Sequence, residues 1–308
     1  MIDPGEVAIL VVHGNGPYYE GRFALEHSWP ELQMRQLRRH TPPGFTMVAV
    51  GNRIMPEHEA FLRSCREVEI HCTHDPAMPL FKEIWRYRNW LVEQTHERFR
   101  YLITLDSDAF PITDGWLDRY LEGLSEREPV AAVQRLENGD THSDRSFMAF
   151  SSRAWRQHRF DFANGPKDAG CRISAYLDSR GLSWRRLTRS NAWNPHSLTA
   201  GLYDSAIYHH AAGGRLPLYR INQAIWREGL DTPAFETELA IHNALLDAIH
   251  HDTDHFLDQL QGRAAPTSRE ALLAGGHEIV RARPEFAEPL FDDRDRGPNR
   301  FGEGEPRR

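Results

Sequence analysis

Two carboxylates separated by a single residue, Asp106 and Asp108 in the run YLITLDSDAFP (101–111), are the side chains whose type and spacing best suit chemistry. Tyr101, Leu102, Ile103 and Leu105 precede them, the pattern of a strand buried on both faces. Period two along a strand turns residues i and i+2 to one side, so one ion can sit near both carboxylates. Carboxylate oxygens suit a hard cation, Mg²⁺ or Mn²⁺, which keeps waters and phosphate oxygens as further ligands. Asp-x-Asp also arises by chance where strands give way to loops. What lifts this pair above chance is the buried strand before it and the helical stretch on each side. Open α/β sheets bind nucleotides in the crevice outside the carboxyl ends of their strands. A metal–diphosphate site is therefore expected at 106–108.

The elements that must position these residues follow from apolar periodicity. A buried strand at 6–13 (EVAILVVH) ends in Gly14-Asn15-Gly16-Pro17, a turn lacking the GxGxxG spacing of a dinucleotide site. A helix over 25–39, a strand over 45–50, a short helix over 56–65 and a strand over 67–72 follow. A long amphipathic helix over 79–98 then feeds the 101–105 strand. The order β-α-β-α-β-α-β calls for a parallel sheet with right-handed crossovers. Beyond it, the pattern predicts helices over 116–124, 153–158 and 169–179, with strands over 130–135, 146–151, 184–187 and 204–210. After Gly214 the character turns helical, over 223–229, 235–249 and 268–283. The expected organisation is an α/β domain over 1–215 and a helical segment over 216–291 packed on the sheet or on a partner subunit. Residues 292–308, rich in Gly, Pro and charge, read as a flexible tail.

Composition bounds the function class. The 308 residues are 40% hydrophobic and 26% charged, ordinary for a globular enzyme with a large core. Formal net charge is −7 and no dense Lys/Arg patch stands out, which argues against general nucleic-acid binding. No apolar run reaches membrane-spanning length, and no signal peptide pattern precedes the first strand. Three scattered cysteines, Cys65, Cys72 and Cys171, carry no CxxC signature. A cytoplasmic location is expected, with room for a homo-oligomer through the C-terminal helices.

Over roughly residues 6–215 the chain resembles a GT-A type nucleotide-sugar glycosyltransferase. Three features carry the resemblance. Arg88-Asn89 lie on the helix before the strand that ends Asp106-Ser107-Asp108; Asp168-Ala169-Gly170 opens a helix after a SFMAF strand; and IYHHAAGGR (207–215) closes the fold. The resemblance implies a Rossmann-like, three-layer α/β sandwich with a mostly parallel central sheet, plus the helical C-terminal segment. It implies metal-dependent transfer of a sugar from a nucleoside-diphosphate donor to the hydroxyl of a glycan, lipid-linked or small-molecule acceptor. By the same resemblance, Asp108 coordinates the ion that bridges the diphosphate, and Asp106 lies toward the ribose or the ion's water shell. His209 or His210 supplies a second protein ligand; adjacent strand residues point to opposite faces, so at most one of the two can serve. His210 is the expected one, because the Gly-rich turn after it, Ala211-Ala212-Gly213-Gly214, would let the chain fold over phosphates. Arg215 and Arg88 assist as cationic partners of phosphate. Asp168 would face the acceptor as the general base of an inverting reaction, although Asp is also a favoured helix N-cap. His13, Gly14 and Asn52, at the ends of the first two strands, would face base and ribose by fold position, with Asn89 reaching in beside Arg88. The segment 184–193, rich in Trp and Arg, would line an acceptor pocket.

Three rivals remain. A phosphohydrolase of the haloacid-dehalogenase type also places Asp-x-Asp after a buried strand, but near the start of its domain and followed by Thr or Val; Ala109-Phe110 stand here instead. A sugar-nucleotide pyrophosphorylase shares the sheet, but its long Gly-rich first loop is missing. A non-catalytic nucleotide- or carbohydrate-binding protein would use the same residues for structure.

Overall fold

The computed structural model describes residues 1–14, 29–52, 54–73, 84–163, 170–211 and 233–282. β1 (Val7–Gly14) is apolar over six consecutive positions, all of them buried, because it lies mid-sheet with helices on both faces. α1 (Trp29–His40), β2 (Thr46–Asn52), α2 (Pro56–Ser64), β3 (Val68–Thr73), α3 (Ile84–Thr95) and β4 (Tyr101–Asp106) complete the expected alternation. The four strands are parallel in the order β3-β2-β1-β4. The chain therefore grows outward from β1 to β3 and then crosses to the other side of β1, which makes the gap between β1 and β4 a topological switch point.

β6 (Val130–Val133), β7 (Asp144–Ser151) and β8 (Arg185–Leu187) extend the sheet to seven strands in the order β3-β2-β1-β4-β7-β6-β8. β7 runs against β4 and β6, while β8 runs parallel to β6. One face is covered by α1, α2 and α4 (Trp116–Leu121), whose Met34, Leu37, Leu62, Trp116 and Tyr120 meet Ile9, Val11, Met47 and Ile103. The other is covered by α3, α5 (Ser152–His158) and α6 (Cys171–Ser179), whose Leu91, Trp155 and Leu177 meet Leu10, Val48, Leu102 and Phe150. Alternate residues of each central strand thus feed two separate cores, and the three-layer α/β sandwich with a mostly parallel sheet is present as expected.

A second, three-stranded sheet was not foreseen. β5 (Ala109–Pro111), β9 (Gly201–Tyr203) and β10 (Ile207–His209) pair antiparallel in the order β5-β10-β9. The single strand expected over 204–210 is instead the far arm of a hairpin. Asp204 and Ser205 both hold left-handed φ, 53° and 54°, and Ala206 N–H donates to the Tyr203 carbonyl at 3.1 Å. Positive φ at these two residues lets the chain reverse within the three residues that separate the paired Tyr203 and Ile207.

The small sheet nucleates a third core. Phe110, Leu202 and Tyr208 pack with Trp29 and Leu32 of α1 and with Ile241, Leu245 and Ile249 of α7 (Pro233–His251). α8 (Thr253–Leu260) adds Phe256, Leu257 and Leu260, and α9 (Arg269–Ala282) adds Leu272. The helical C-terminal segment therefore packs on the small sheet and α1 of its own chain. α9 approaches α7 so closely that a Cβ on Gly276 would lie 1.8 Å from the Ala240 carbonyl oxygen. The expected helix over 223–229, the domain boundary at 215 and the tail over 292–308 lie outside the described residues. No helix among the described residues is long and apolar enough to cross a membrane.

Candidate metal and donor site

β4 ends at Asp106, the chain turns through Ser107 and Asp108, and β5 begins at Ala109. β10 pairs with β5 in the register His209↔Ala109, and His210 N–H donates to the Asp108 carbonyl at 3.0 Å. That register brings His209 to the carboxylates from a strand about a hundred residues later. His209 Nε2 lies 3.5 Å from Asp106 Oδ2 and 3.5 Å from Asp108 Oδ1. The three ligand atoms fall within 4.8 Å of one another, with Asp108 and His209 buried and Asp106 partly exposed at the crevice. Two oxygens and an imidazole nitrogen suit a divalent cation of the Mg²⁺ or Mn²⁺ kind. Neighbouring ligands of a six-coordinate ion with bonds of about 2.1 Å sit roughly 3 Å apart, so each His209–carboxylate contact would shorten by about half an ångström around an ion.

His210 faces the opposite way, as strand alternation requires. It is fully buried against the third core, with its Nδ1 2.7 Å from Tyr208 Oη and its ring 5.2 Å from Trp29 and 5.4 Å from His242. Burial pushes its pKa down to about 3, so the ring is neutral. The structure thus brings His209, not the expected His210, to Asp106 and Asp108. The Gly-rich turn on which the choice of His210 rested, from residue 212 on, lies outside the described residues.

Arg88 reaches the site, but toward a carboxylate. It is 1% exposed and donates to Asp106 Oδ1 and, at 2.9 Å, to the Arg145 carbonyl. Arg145 Nε stands 3.9 Å from the same Asp106 oxygen. Asn89 points elsewhere: its Nδ2 donates to Asp161 Oδ1 at 2.9 Å and its Oδ1 accepts from Phe162 N–H at 3.2 Å. One end of the amide holds the Asp161 carboxylate and the other the Phe162 backbone, and the structure does not bring it to the crevice.

His13 is the last residue but one of β1 and Asn52 the last of β2, in the register His13↔Gly51 and Gly14↔Asn52. Each side chain is 3% exposed, and among the described residues His13 Nε2 and Asn52 Oδ1 have no hydrogen-bond partner. Burial, with a smaller push from His58, lowers the His13 pKa to about 3 and keeps the ring neutral. Asp168 and Arg215 lie outside the described residues. Gly170, φ +92°, sits against the start of β7: a Cβ there would come 3.1 Å from Arg145 N.

Several polar residues of this region were not singled out as site residues by sequence. Asp144 opens β7 and is buried; burial would raise its pKa, but Arg135, His209 and the Ser146 N–H, which donates to Oδ1 at 2.7 Å, outweigh it and the net shift is downward. Tyr203 Oη donates to Glu137 Oε1 at 2.5 Å, with Arg135 Nε 3.4 Å from that oxygen. Burial raises the Tyr203 pKa, so it stays a donor. The stretch 137–145 is therefore tied to the surroundings of the site at both ends, through Glu137 to Tyr203 and through Arg145 to Asp106. The charges of Asp144 and Arg145 masked the start of an eight-residue strand whose other members are mostly apolar.

No family model and no curated protein matches the chain. Among solved structures, TarS 1-349 from S. aureus is similar at 12% identity, over 82% of this chain and 74% of that one, with a TM-score of 0.44. A protein from Desulfovibrio desulfuricans G20, provisionally described as a nucleotide-diphospho-sugar transferase, is similar at 11% identity over 83% and 98%, with a TM-score of 0.44. The bifunctional WbbM structure is similar at 11% identity over 61% and 39%, with a TM-score of 0.41.

Proposed function

We propose that this protein transfers a sugar from a nucleoside-diphosphate donor to an acceptor hydroxyl, using a divalent cation held by Asp106, Asp108 and His209. The observation that carries the proposal is the convergence of these three side chains, from β4, its following turn and β10, at the switch point of a mostly parallel sheet. The row of strand ends supports a direction for the donor. Adjacent strands lie about 4.8 Å apart, so Asn52, His13 with Gly14, and Asp106 line the edge over roughly 10 Å. Base and ribose would lie over β2 and β1, with the diphosphate at the carboxylates.

A divalent ion, when bound, neutralises charge gathering on the diphosphate leaving group without any proton transfer. The chain's own residues do the rest. Arg88 holds Asp106 by Oδ1, which leaves Oδ2 toward His209. Asp168 is the proposed base of an inverting reaction. The acceptor oxygen bonds to the anomeric carbon as the carbon–phosphate oxygen bond breaks, the electron pair leaves with the diphosphate, and the acceptor proton passes to the Asp168 carboxylate. The seat of Gly170 against Arg145 supports a place for that helix start at the crevice. Arg215 is the proposed further partner of phosphate.

Thermal unfolding with Mn²⁺ and a panel of nucleoside diphosphates, with and without EDTA, tests the proposal. A ligand at a hundred times its Kd adds about 2.7 kcal/mol to the native state, so one nucleotide should raise the midpoint by several degrees. The rise should vanish in EDTA, in Asp108→Ala and in His209→Ala, and persist in His210→Gln. A flat response across the panel in the wild type refutes the proposal. Binding without nucleoside diphosphate release from any sugar donor favours a non-catalytic binding protein instead.

A further inference from the structure

We infer that Gln33 is a positioning residue that holds the Asp106–Ala109 turn, and so the carboxylate pair, in ligating geometry. The inference rests on the metal site proposed above.

α1 buries Trp29, Leu32, Met34 and Leu37 against two of the cores, and Gln33 stands among them at 0% exposure. A buried primary amide costs roughly 1–3 kcal/mol unless its hydrogen bonds are replaced, so an apolar side chain would be the expected filler. What the amide supplies is two N–H donors at one point. Gln33 Nε2 donates to the Asp106 carbonyl at 2.9 Å and to the Ala109 carbonyl at 2.7 Å. Those two carbonyls bracket the Asp106-Ser107-Asp108 turn. A single nitrogen therefore ties the last residue of β4 to the first of β5.

The acceptor end of the same amide shows that packing alone does not explain the residue. Among the described residues Gln33 Oε1 has no hydrogen-bond partner, a loss that methionine or leucine would avoid. The remaining contacts of the turn complete a brace. His210 N–H holds the Asp108 carbonyl, and Arg88 holds the Asp106 carboxylate from α3, on the sheet face opposite α1. Backbone is fixed from one face and carboxylate from the other. Groups that orient ligands from behind in this way are typically worth 10- to 100-fold in metal affinity.

The test is Mn²⁺ binding to the full chain, followed by loss of the free-ion EPR signal. Gln33→Met keeps the volume and removes both donors. Ser152→Ala is the control: it removes a buried Ser152 Oγ donation to the Phe99 carbonyl at 2.5 Å, at the other end of β4. Gln33→Met should raise the Mn²⁺ Kd about tenfold or more. Ser152→Ala should lower the unfolding midpoint, through the loss of one buried hydrogen bond, and leave the Kd within about twofold. If Gln33→Met does not fold, Gln33→Asn, which withdraws the amide by one methylene, is held to the same outcome. Wild-type affinity in the Gln33 variants overturns the inference, and so does an equal loss in Ser152→Ala. Absence of Mn²⁺ binding by the wild type overturns the metal site itself, an outcome distinct from either.

Discussion

Replacing Arg88 by Met should weaken the fold through Asp106, and the size of the effect can be worked from their contacts. Arg88 is 1% exposed; burial pulls its pKa down and the Asp106 carboxylate opposes that pull. Removing the guanidinium leaves the Arg145 carbonyl without its 2.9 Å donor and Asp106 with Arg145 Nε at 3.9 Å in place of a direct bond. Removing one member of a buried ion pair typically costs 3–5 kcal/mol. Asp106 is 22% exposed and keeps Arg145 nearby, which places the loss at the lower end, about 3 kcal/mol. In a chain of this size that is a midpoint shift of roughly 6 °C. The double variant Arg88→Met/Asp106→Asn should lose less than the two singles together, by about 2 kcal/mol, because it removes both charges. Arg88→Lys should recover under half, since a point charge cannot serve a carboxylate and a carbonyl in the same fork. Urea unfolding in EDTA measures all of these free of metal linkage. A coupling energy below about 0.5 kcal/mol would refute the claim that Arg88 holds Asp106.

Two further perturbations address other parts of the molecule. The folded pKa of His13 is about 3, below its ordinary 6.5, so the native state binds fewer protons than the unfolded chain between those values. Stability is therefore fully present above pH 6.5 and is lost as pH falls toward 3, by about 2 kcal/mol at pH 5. His13→Asn should flatten the fall of the urea midpoint between pH 6.5 and 4, and an unchanged slope counts against the burial argument. Gly276→Ala would put a methyl 1.8 Å from the Ala240 carbonyl oxygen, a backbone atom that no rotamer change can move. Overpacking of that kind costs at least about 1–3 kcal/mol, and hydrogen exchange should rise in α9 while the central sheet stays protected. Unaltered exchange in α9 would show that the helices do not cross there.

How much of this was legible in the sequence depended on how local the cause was. The parallel half of the sheet was readable because β1, β2 and β4 are continuous apolar runs and α1 to α3 carry helical periodicity. Asp106-Ser107-Asp108 could be placed at a strand end for the same reason. The small sheet was hidden because its strands are three residues long, too short for any period. Asn89 and Arg88 are neighbours on one helix, yet one meets Phe162 and the other Asp106; no spacing rule separates those fates. Gln33 acts over 73 and 76 residues of sequence, and nothing in its own helix marks it.

The histidine pair shows where local reasoning stops and which part of the fold decides. Period two required that one ring face the carboxylates and the other face away, and it could not say which. The choice is made by what covers the back of β10. Tyr208 stacks on Phe110 at 4.9 Å, and His210 meets Trp29 and His242, so α1 and α7 form the floor under that face. Trp29 also packs against His250 at 4.5 Å, and Arg35 donates to Thr253 Oγ1 at 2.8 Å, which ties α7 and α8 to α1. With Tyr208 and His210 sunk in that apolar floor, His209 has only the other face left, the one that carries Asp106 and Asp108. The C-terminal helices are thus part of the site's construction although, among the described residues, none of theirs joins Asp106, Asp108 and His209. Weakening their seat on α1 and the small sheet should loosen His209 before it disturbs the seven-stranded sheet.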